Sequence, residues 1–313
     1  MVEQSSSSSP GRRGAQRASV VIPAHDESAV IARTLTALLD GPGADELDVV
    51  VVCNGCTDDT ADVARSVPGV RVIEIEEASK VRAVAVGNEA TTTYPRVHLD
   101  ADVEIAGADV LRLVRAVNGA VLAAGPRRVL PTDGCSTLVR AYYRVWEALP
   151  QVRSGLFGRG VIALSRAGQE RVDGLPRVMS DDLAVSEAFE PHERLVVREA
   201  RVVVHPPRTL GDLLRRRTRV VTGNEQATEL GVRRPESRTT MRGLVRLGLA
   251  DPRVGLCLPV FVGVGLLARL RARRAIRDGD FDTWLRDDSS RVRAARPGPV
   301  ASPTPSTEGT SRA

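Results

Sequence analysis

The sequence predicts an α/β protein. Its expected core is a mainly parallel, twisted sheet with helices on both faces, followed by a basic, partly apolar C-terminal helical segment. Three observations predict this. Short β-branched runs alternate with helical-period segments through the first hundred residues. The Val49–Val52 run is apolar without a break, as a strand covered on both faces is. After residue 205 the alternation stops and arginine-rich helical patterns replace it.

The elements follow in chain order. Residues 1–17 are rich in Ser, Gly and Arg and read as a disordered tail. Ser19–Pro23 is a strand closed by proline. Glu27–Asp40 places Val30, Ile31, Leu35, Leu38 and Leu39 on a helical period. Leu47–Val52 is the second strand. A helix over Asp58–Ser66 is expected next, with Thr57 as its N-cap and Pro68-Gly69 as its stop. Val70–Ile75, Ser79–Thr91 and Arg96–Leu99 then read as strand, helix and strand. Repeated right-handed crossovers of this kind build a parallel sheet, and ligands sit beyond the carboxyl ends of such strands. A main domain is expected over 18–235, a helical segment over 236–288 and a second disordered tail over 289–313.

Composition and charge narrow the function classes. With 313 residues, 42% of them hydrophobic, and only four cysteines, the chain is neither disordered throughout nor a disulfide scaffold. Met1–Ala18 lacks the apolar stretch of an export signal, so reduced thiols in the cytoplasm are expected. Residues 1–207 carry 23 basic and 28 acidic side chains, whereas 208–296 carry 20 and 10, a local excess of +10. That excess fits an anionic partner, such as a membrane face, a phosphate or a nucleic acid, or else a well-solvated arginine-rich surface. Val254–Ala268 is uncharged and followed by Arg269, Arg271, Arg273, Arg274 and Arg277. Its 15 residues fall short of the roughly 20 that a spanning helix uses, so a buried or interfacial helix is favoured over a span. Of 44 basic residues, Lys80 is the one lysine, which makes it more informative than any single arginine.

Asp100-Ala101-Asp102 directly follows the fourth strand. Two crowded carboxylates at a sheet rim repel each other, and a hard divalent cation such as Mg²⁺ or Mn²⁺ relieves that repulsion. Taken alone, D-x-D also fits a polar strand end. Four segments in order add specificity: Val20–Glu27 (VVIPAHDE), Val49–Thr60 (VVVVCNGCTDDT), Lys80–Gly87 (KVRAVAVG) and His98–Val103 (HLDADV). Together they resemble the successive motifs of family 2 glycosyltransferases. The likeness continues through Gly158–Leu164, Ser180–Leu183 and Arg216–Val220.

The resemblance implies the GT-A fold and inverting transfer from a nucleotide diphosphate sugar to an acceptor glycan, lipid or small molecule, in cell-envelope glycan or glycolipid synthesis. It implies metal ligation by Asp102 and Asp100, and donor binding by Pro23, Ala24, Asp26, Glu27, Asn54, Asp58, Lys80, Asp100, Ala101, Arg216 and Arg219. Gly158 and Gly160 fall on the acceptor side. Asp182, or its neighbour Asp181, is the expected general base, since the acceptor hydroxyl must lose a proton as it attacks. Nucleic acid is not an expected partner, because aromatic stacking platforms are scarce. The expected location is cytoplasmic, peripheral on or anchored in the cytoplasmic membrane face.

Departures from the family pattern bear on the donor. Cys53-Asn54 stands where an acid that reads the base is usual, Ala85 replaces an asparagine, and Val220 replaces a tryptophan. Cys53-x-x-Cys56 also admits a thioredoxin-like redox reading. His25 reads as a loop-packing residue. A nucleotidyltransferase, a noncatalytic relative and an anionic-surface or nucleic-acid binding module are the competing classes.

Overall fold

The structure, a computed structural model, describes residues 18–176, 181–231, 234 and 239–277. Both expected tails, Ser180, most of 232–238 and the stretch after Arg277 lie outside the described residues.

The first half is the parallel sheet that the sequence predicts. Strands β1 (Ala18–Ala24), β2 (Leu47–Asn54), β3 (Val70–Ile75) and β4 (Arg96–Leu99) lie side by side in the order β3-β2-β1-β4. Crossovers are made by α1 (Ile31–Leu39), α2 (Thr60–Arg65) and α3 (Lys80–Glu89). The valine run of β2 shows why it is apolar throughout. Val49 and Val51 join the large core containing β1 and α1, while Val50 and Val52 pack with Ala83 of α3 on the opposite face. Gly87 lets α3 lie close to β1, because a Cβ there would come within 2.3 Å of Val21 Cγ1.

After β4 the sheet turns mixed. β5 (Val103–Ile105) and α4 (Gly107–Ala116) precede β6 (Ala123–Val129), then α5 (Thr137–Ala148), α6 (Pro150–Ser154), β7 (Val161–Leu164), α7 (Arg166–Asp173), α8 (Asp181–Glu187) and β8 (Arg194–Val204). β7 runs antiparallel to both β4 and β6, β8 runs parallel to β6, and β5 closes the edge antiparallel to β8. The eight strands follow the order β3-β2-β1-β4-β7-β6-β8-β5.

The C-terminal part comprises α9 (Leu210–Glu229), α10 (Met241–Ala250), α11 (Pro252–Gly255) and α12 (Leu258–Arg277). Pro259 does not interrupt α12, because it sits in the first turn, where its missing N–H has no intrahelical partner to lose. The stretch Pro252–Arg274 is long and apolar enough to cross a membrane, by length and composition. One side of it nevertheless packs on the protein. Val264 joins Tyr142, Leu213 and Leu214, and the Phe261 ring stacks on Tyr142 with centroids 5.0 Å apart. Leu256, Leu266, Leu267 and Leu270 stay exposed, as do Met241, Val245 and Leu249 along α10.

Several boundaries differ from expectation for identifiable reasons. α1 starts at Ile31, because Asp26 turns the chain with φ +48° and the Glu27 carbonyl accepts from both Val30 and Ile31 N–H at 2.9 Å. Thr57 does not cap α2. Its N–H and hydroxyl go to Asp26 Oδ1, at 2.7 and 3.3 Å, and α2 begins at Thr60. Ser79 caps α3 instead of opening it, with its hydroxyl accepting from Arg82 N–H at 3.2 Å.

Candidate active site

Asp100 leaves the end of β4 with its N–H donated to the Gly160 carbonyl at 2.7 Å. Its Oδ1 receives the Lys80 ammonium at 2.9 Å, so the single lysine lies against the D-x-D acids. Lys80 is placed there as the first residue of α3, behind the Ser79 cap. Ala101 is buried, and its carbonyl accepts from Thr34 Oγ1 at 2.7 Å; the Asp102 carbonyl accepts from Arg33 Nη2 at 3.4 Å. Helix α1 therefore fixes the backbone that presents both carboxylates.

The facing wall is the loop between α6 and β7. Gly158 and Gly160 adopt φ +65° and +66°, a region in which an L side chain is strained. A Cβ on Gly160 would meet Val103 Cγ1 at 2.7 Å and Asp100 Oδ2 at 3.2 Å. Two arginines tie the loop from behind. Arg159 is buried and donates to the carbonyls of Gly155, Pro126, Val152 and Arg153, at 2.8 to 3.3 Å. Arg128 donates to Gly158 O at 2.8 Å and Phe157 O at 3.2 Å, and its guanidinium lies 4.2 Å above the Trp146 ring. Burial pushes Arg159 down to about 9, with Arg128 adding to the effect; burial likewise takes Arg128 to about 10.

Asp182 reaches this loop from the start of α8. Its Oδ2 accepts from Gly158 N–H and its Oδ1 from Leu183 N–H, each at 2.8 Å. The Asp181 backbone opens α8. Arg216 and Arg219 lie three residues apart, hence on one face of α9. Burial and then Arg216 lower the pKa of Arg219, while the charges of Asp102, Asp182 and Asp100 oppose that shift. The sequence-predicted acids and arginines therefore share one electrostatic neighbourhood, although they come from β4, α8 and α9.

The donor-side residues divide differently. Pro23 and Ala24 end β1, both buried. Asn54 is buried, and its amide is donated to the Ala24 carbonyl at 2.8 Å. Asp58 accepts from Ser28 N–H at 3.1 Å, from Thr60 N–H at 3.0 Å and from the Thr60 hydroxyl. Burial alone would raise the Asp58 pKa, but these donors outweigh it and hold the carboxyl below its ordinary range. Glu27 is buried, with its N–H on Thr60 Oγ1 at 2.7 Å. Asn54, Asp58 and Asp26 thus join the β1–α1 and β2–α2 loops to each other, a structural task that the sequence reading did not anticipate.

The redox reading of Cys53-x-x-Cys56 meets the opposite of an activated thiolate. Burial, and secondarily Cys56, push the Cys53 thiol up to about 12. Arg128 and Arg159, which tie the glycine loop of the candidate site, were given no role by the sequence reading. In a chain so rich in arginine their identity carried little signal, although Arg159 lies inside the Gly-Arg-Gly triplet.

Residues 19–155 match the family described as Glycosyl transferase family 2. The matched stretch covers less than half of the 313 residues. No curated protein matches the chain. Among solved structures, the mannosyltransferase PcManGT from Pyrobaculum calidifontis, in complex with GDP-Man and Mn²⁺, is 21% identical, with 87% of this chain and 83% of that one covered and a TM-score of 0.55. Glucosyl-3-phosphoglycerate synthase from Mycobacterium tuberculosis, in complex with phosphoglyceric acid, is 22% identical over 70% of this chain and 82% of its own, with a TM-score of 0.51. At these identities the likeness shows the fold, and it extends the GT-A architecture beyond the matched family segment. Gly158, Gly160, Asp182, Arg216 and Arg219 all follow residue 155, yet the fold returns them to the acids at the end of β4.

Proposed function

We propose that the chain transfers a sugar from a nucleotide diphosphate sugar to an acceptor hydroxyl, with inversion and with the help of Mg²⁺ or Mn²⁺. The observation that carries this reading is the seating of Asp182 on Gly158 N–H, together with the meeting of its charge with those of Asp100 and Asp102 at Arg219. A base, a leaving-group neighbourhood and paired acids are the parts that such a transfer uses.

The residues fit a hard divalent ion. The donor set is all oxygen, and Gly160 keeps clear the space beside Asp100 Oδ2 that a Cβ would enter at 3.2 Å. Asp102 is the main ligand in this reading. Asp100 shares its charge with Lys80, whose ammonium holds the carboxylate in place. When bound, the ion supplies positive charge at the diphosphate as it departs. Arg216 and Arg219 add fixed positive charge on the same side. Asp182, oriented by two backbone N–H donors, takes the proton from the acceptor hydroxyl while the arginines hold the leaving group in line. Asn54 and Asp58 are spent on the fold, so base selectivity is assigned to backbone and shape at the β1 and β2 ends.

The exposed leucines of α11–α12 and the arginines that follow them favour an acceptor at the cytoplasmic membrane face, in cell-envelope glycan or glycolipid synthesis. The test combines a melting panel of UDP, GDP, dTDP and CDP, with Mn²⁺ or EDTA, and transfer assays with the nucleotide that binds. Asp182→Asn is expected to lower transfer by about 10²- to 10⁴-fold and leave donor binding intact. Asp102→Asn is expected to weaken donor binding only in the presence of metal. Full activity in both variants would refute the assignment.

A further inference from the structure

The loops joined by Asn54 and Asp58 bring together a second set of metal-binding side chains. We propose that His25, Asp26 and Cys56 form a site for a zinc-type divalent transition ion, separate from the all-oxygen pair Asp100 and Asp102. One ligand atom from each, an imidazole nitrogen, a carboxylate oxygen and the thiol sulfur, lies within 4.8 Å of the others. His25 Nε2 and Asp26 Oδ2 are 3.7 Å apart. Ligands at zinc bond lengths in a tetrahedron stand about 3.3–3.8 Å from one another, so that pair already has the required spacing. All three residues are partly exposed, which gives an ion a route in and leaves a coordination position for water.

The surroundings are those of ligands held in place. His25 Nδ1 lies 2.6 Å from the Asn54 carbonyl, which fixes the ring and leaves Nε2, the nitrogen nearer Asp26, as the atom that would meet an ion. The other Asp26 oxygen, Oδ1, is steadied by Thr57 N–H at 2.7 Å and by the Thr57 hydroxyl. Cys56 Sγ lies 3.5 Å from the Ala24 carbonyl. Asp26 is the one non-glycine residue with positive φ among the described residues, +48°. A side chain held at such a backbone conformation is a recognised mark of a functional constraint. The mixed nitrogen, oxygen and sulfur set selects zinc-like ions over Mg²⁺ or Mn²⁺. On binding, the Cys56 thiol loses its proton to solvent and the sulfur–metal bond forms. The ion would pin the β1–α1 loop to the β2–α2 loop. Nothing in this site depends on the glycosyltransferase reading.

Cobalt(II) is the probe. The full chain, reduced and stripped with EDTA that is then removed, is titrated with Co²⁺ while its absorption spectrum is followed. The expected result is a thiolate-to-cobalt charge-transfer band that saturates at one equivalent and is bleached by Zn²⁺. Cys56→Ser is expected to abolish the band, and His25→Ala to weaken Co²⁺ binding by about tenfold or more. Asp102→Asn is expected to leave the band unchanged. Circular dichroism confirms that each variant is folded, and Cys56→Ala serves as a second thiol-free variant should the serine form fail that check. No band in the reduced protein, a band that survives loss of the Cys56 thiol, or a band that disappears with Asp102→Asn would each overturn the proposal.

Discussion

Alanine at position 160 tests the wall between the glycine loop and the β4 acids most directly. The backbone term is common to any left-handed position: an L residue there costs roughly 1–2 kcal/mol. The steric term belongs to this site. The new Cβ would meet Val103 Cγ1 at 2.7 Å, about 1 Å inside optimal carbon–carbon contact, with Asp100 at 3.2 to 3.3 Å on another side. Relieving such overpacking costs typically about 1–3 kcal/mol. The sum is roughly 2–5 kcal/mol, a large part of a stability on the order of 5–15 kcal/mol. Gly134→Ala isolates the first term, since Gly134 has φ +79° with nothing within 4 Å of its Cβ position. Gly158→Ala is intermediate, with its closest contacts at an ordinary 3.4 Å. Thermal denaturation of the three variants should rank Gly160→Ala well below Gly158→Ala, with Gly134→Ala highest. Gly160→Ala should also lose metal-dependent stabilisation by nucleotide, because Asp100 is one of the atoms displaced. Equal melting temperatures for Gly160→Ala and Gly134→Ala would refute the contact argument.

Three further outcomes follow from the contacts. Asp58→Ala removes the acceptor of Ser28 and Thr60 and should cost about 1–3 kcal/mol near neutral pH. Because the folded pKa of Asp58 is depressed, its contribution is present above the unfolded value near 3.8 and is lost as pH falls through the lower folded value. The gap between the melting temperatures of wild type and variant should therefore shrink below about pH 4; a constant gap would show that the hydrogen bonds do not favour the charged form. Phe261→Ala removes the ring stacked on Tyr142 and should destabilise by about 2–4 kcal/mol, read by urea denaturation; a change under about 0.5 kcal/mol would mean that α12 does not pack there in solution. Vesicles containing anionic lipid should retain the chain at low salt and release it as salt rises, because arginines supply part of the attraction; a fully soluble chain under both conditions would remove the membrane-face reading.

The parallel half of the fold was legible because each strand ends in a polar turn and each crossover carries its own helical period. The valine run of β2 even announced two covered faces. The antiparallel half was less legible. β6 contains Gly125, Pro126, Arg127 and Arg128, a poor strand signature, and holds its place only by pairing with β7 and β8 across a register shift at Pro126/Arg127. Among candidate site residues, Lys80, Asp100 and Asp182 were readable from the resemblance to the family motifs, and the fold adds contacts that motifs do not contain: Lys80 on Asp100, and Asp182 on Gly158 N–H. Asn54 and Asp58 carried chemically suggestive side chains, but their hydrogen bonds are local, and whether a side chain reads a ligand or closes a loop depends on which donors the fold supplies. The His25–Asp26–Cys56 group was invisible for a related reason. Cys56 is thirty residues beyond Asp26, and only the parallel register of β1 with β2 places their loops together.

Helix α9 has two obligations. One face carries Arg216 and Arg219 toward the acids, while Leu213 and Leu214 sit in the apolar cluster with Tyr142, Val264 and Phe261. The arginines are thus held by a layer whose outer part is α12, more than one hundred residues beyond the end of the matched family segment. A chain cut after residue 240 would keep every candidate catalytic side chain and lose the backing of the helix that aims two of them. In mechanical terms α12 is a buttress: it touches none of the acids, yet it backs the helix that carries the two arginines.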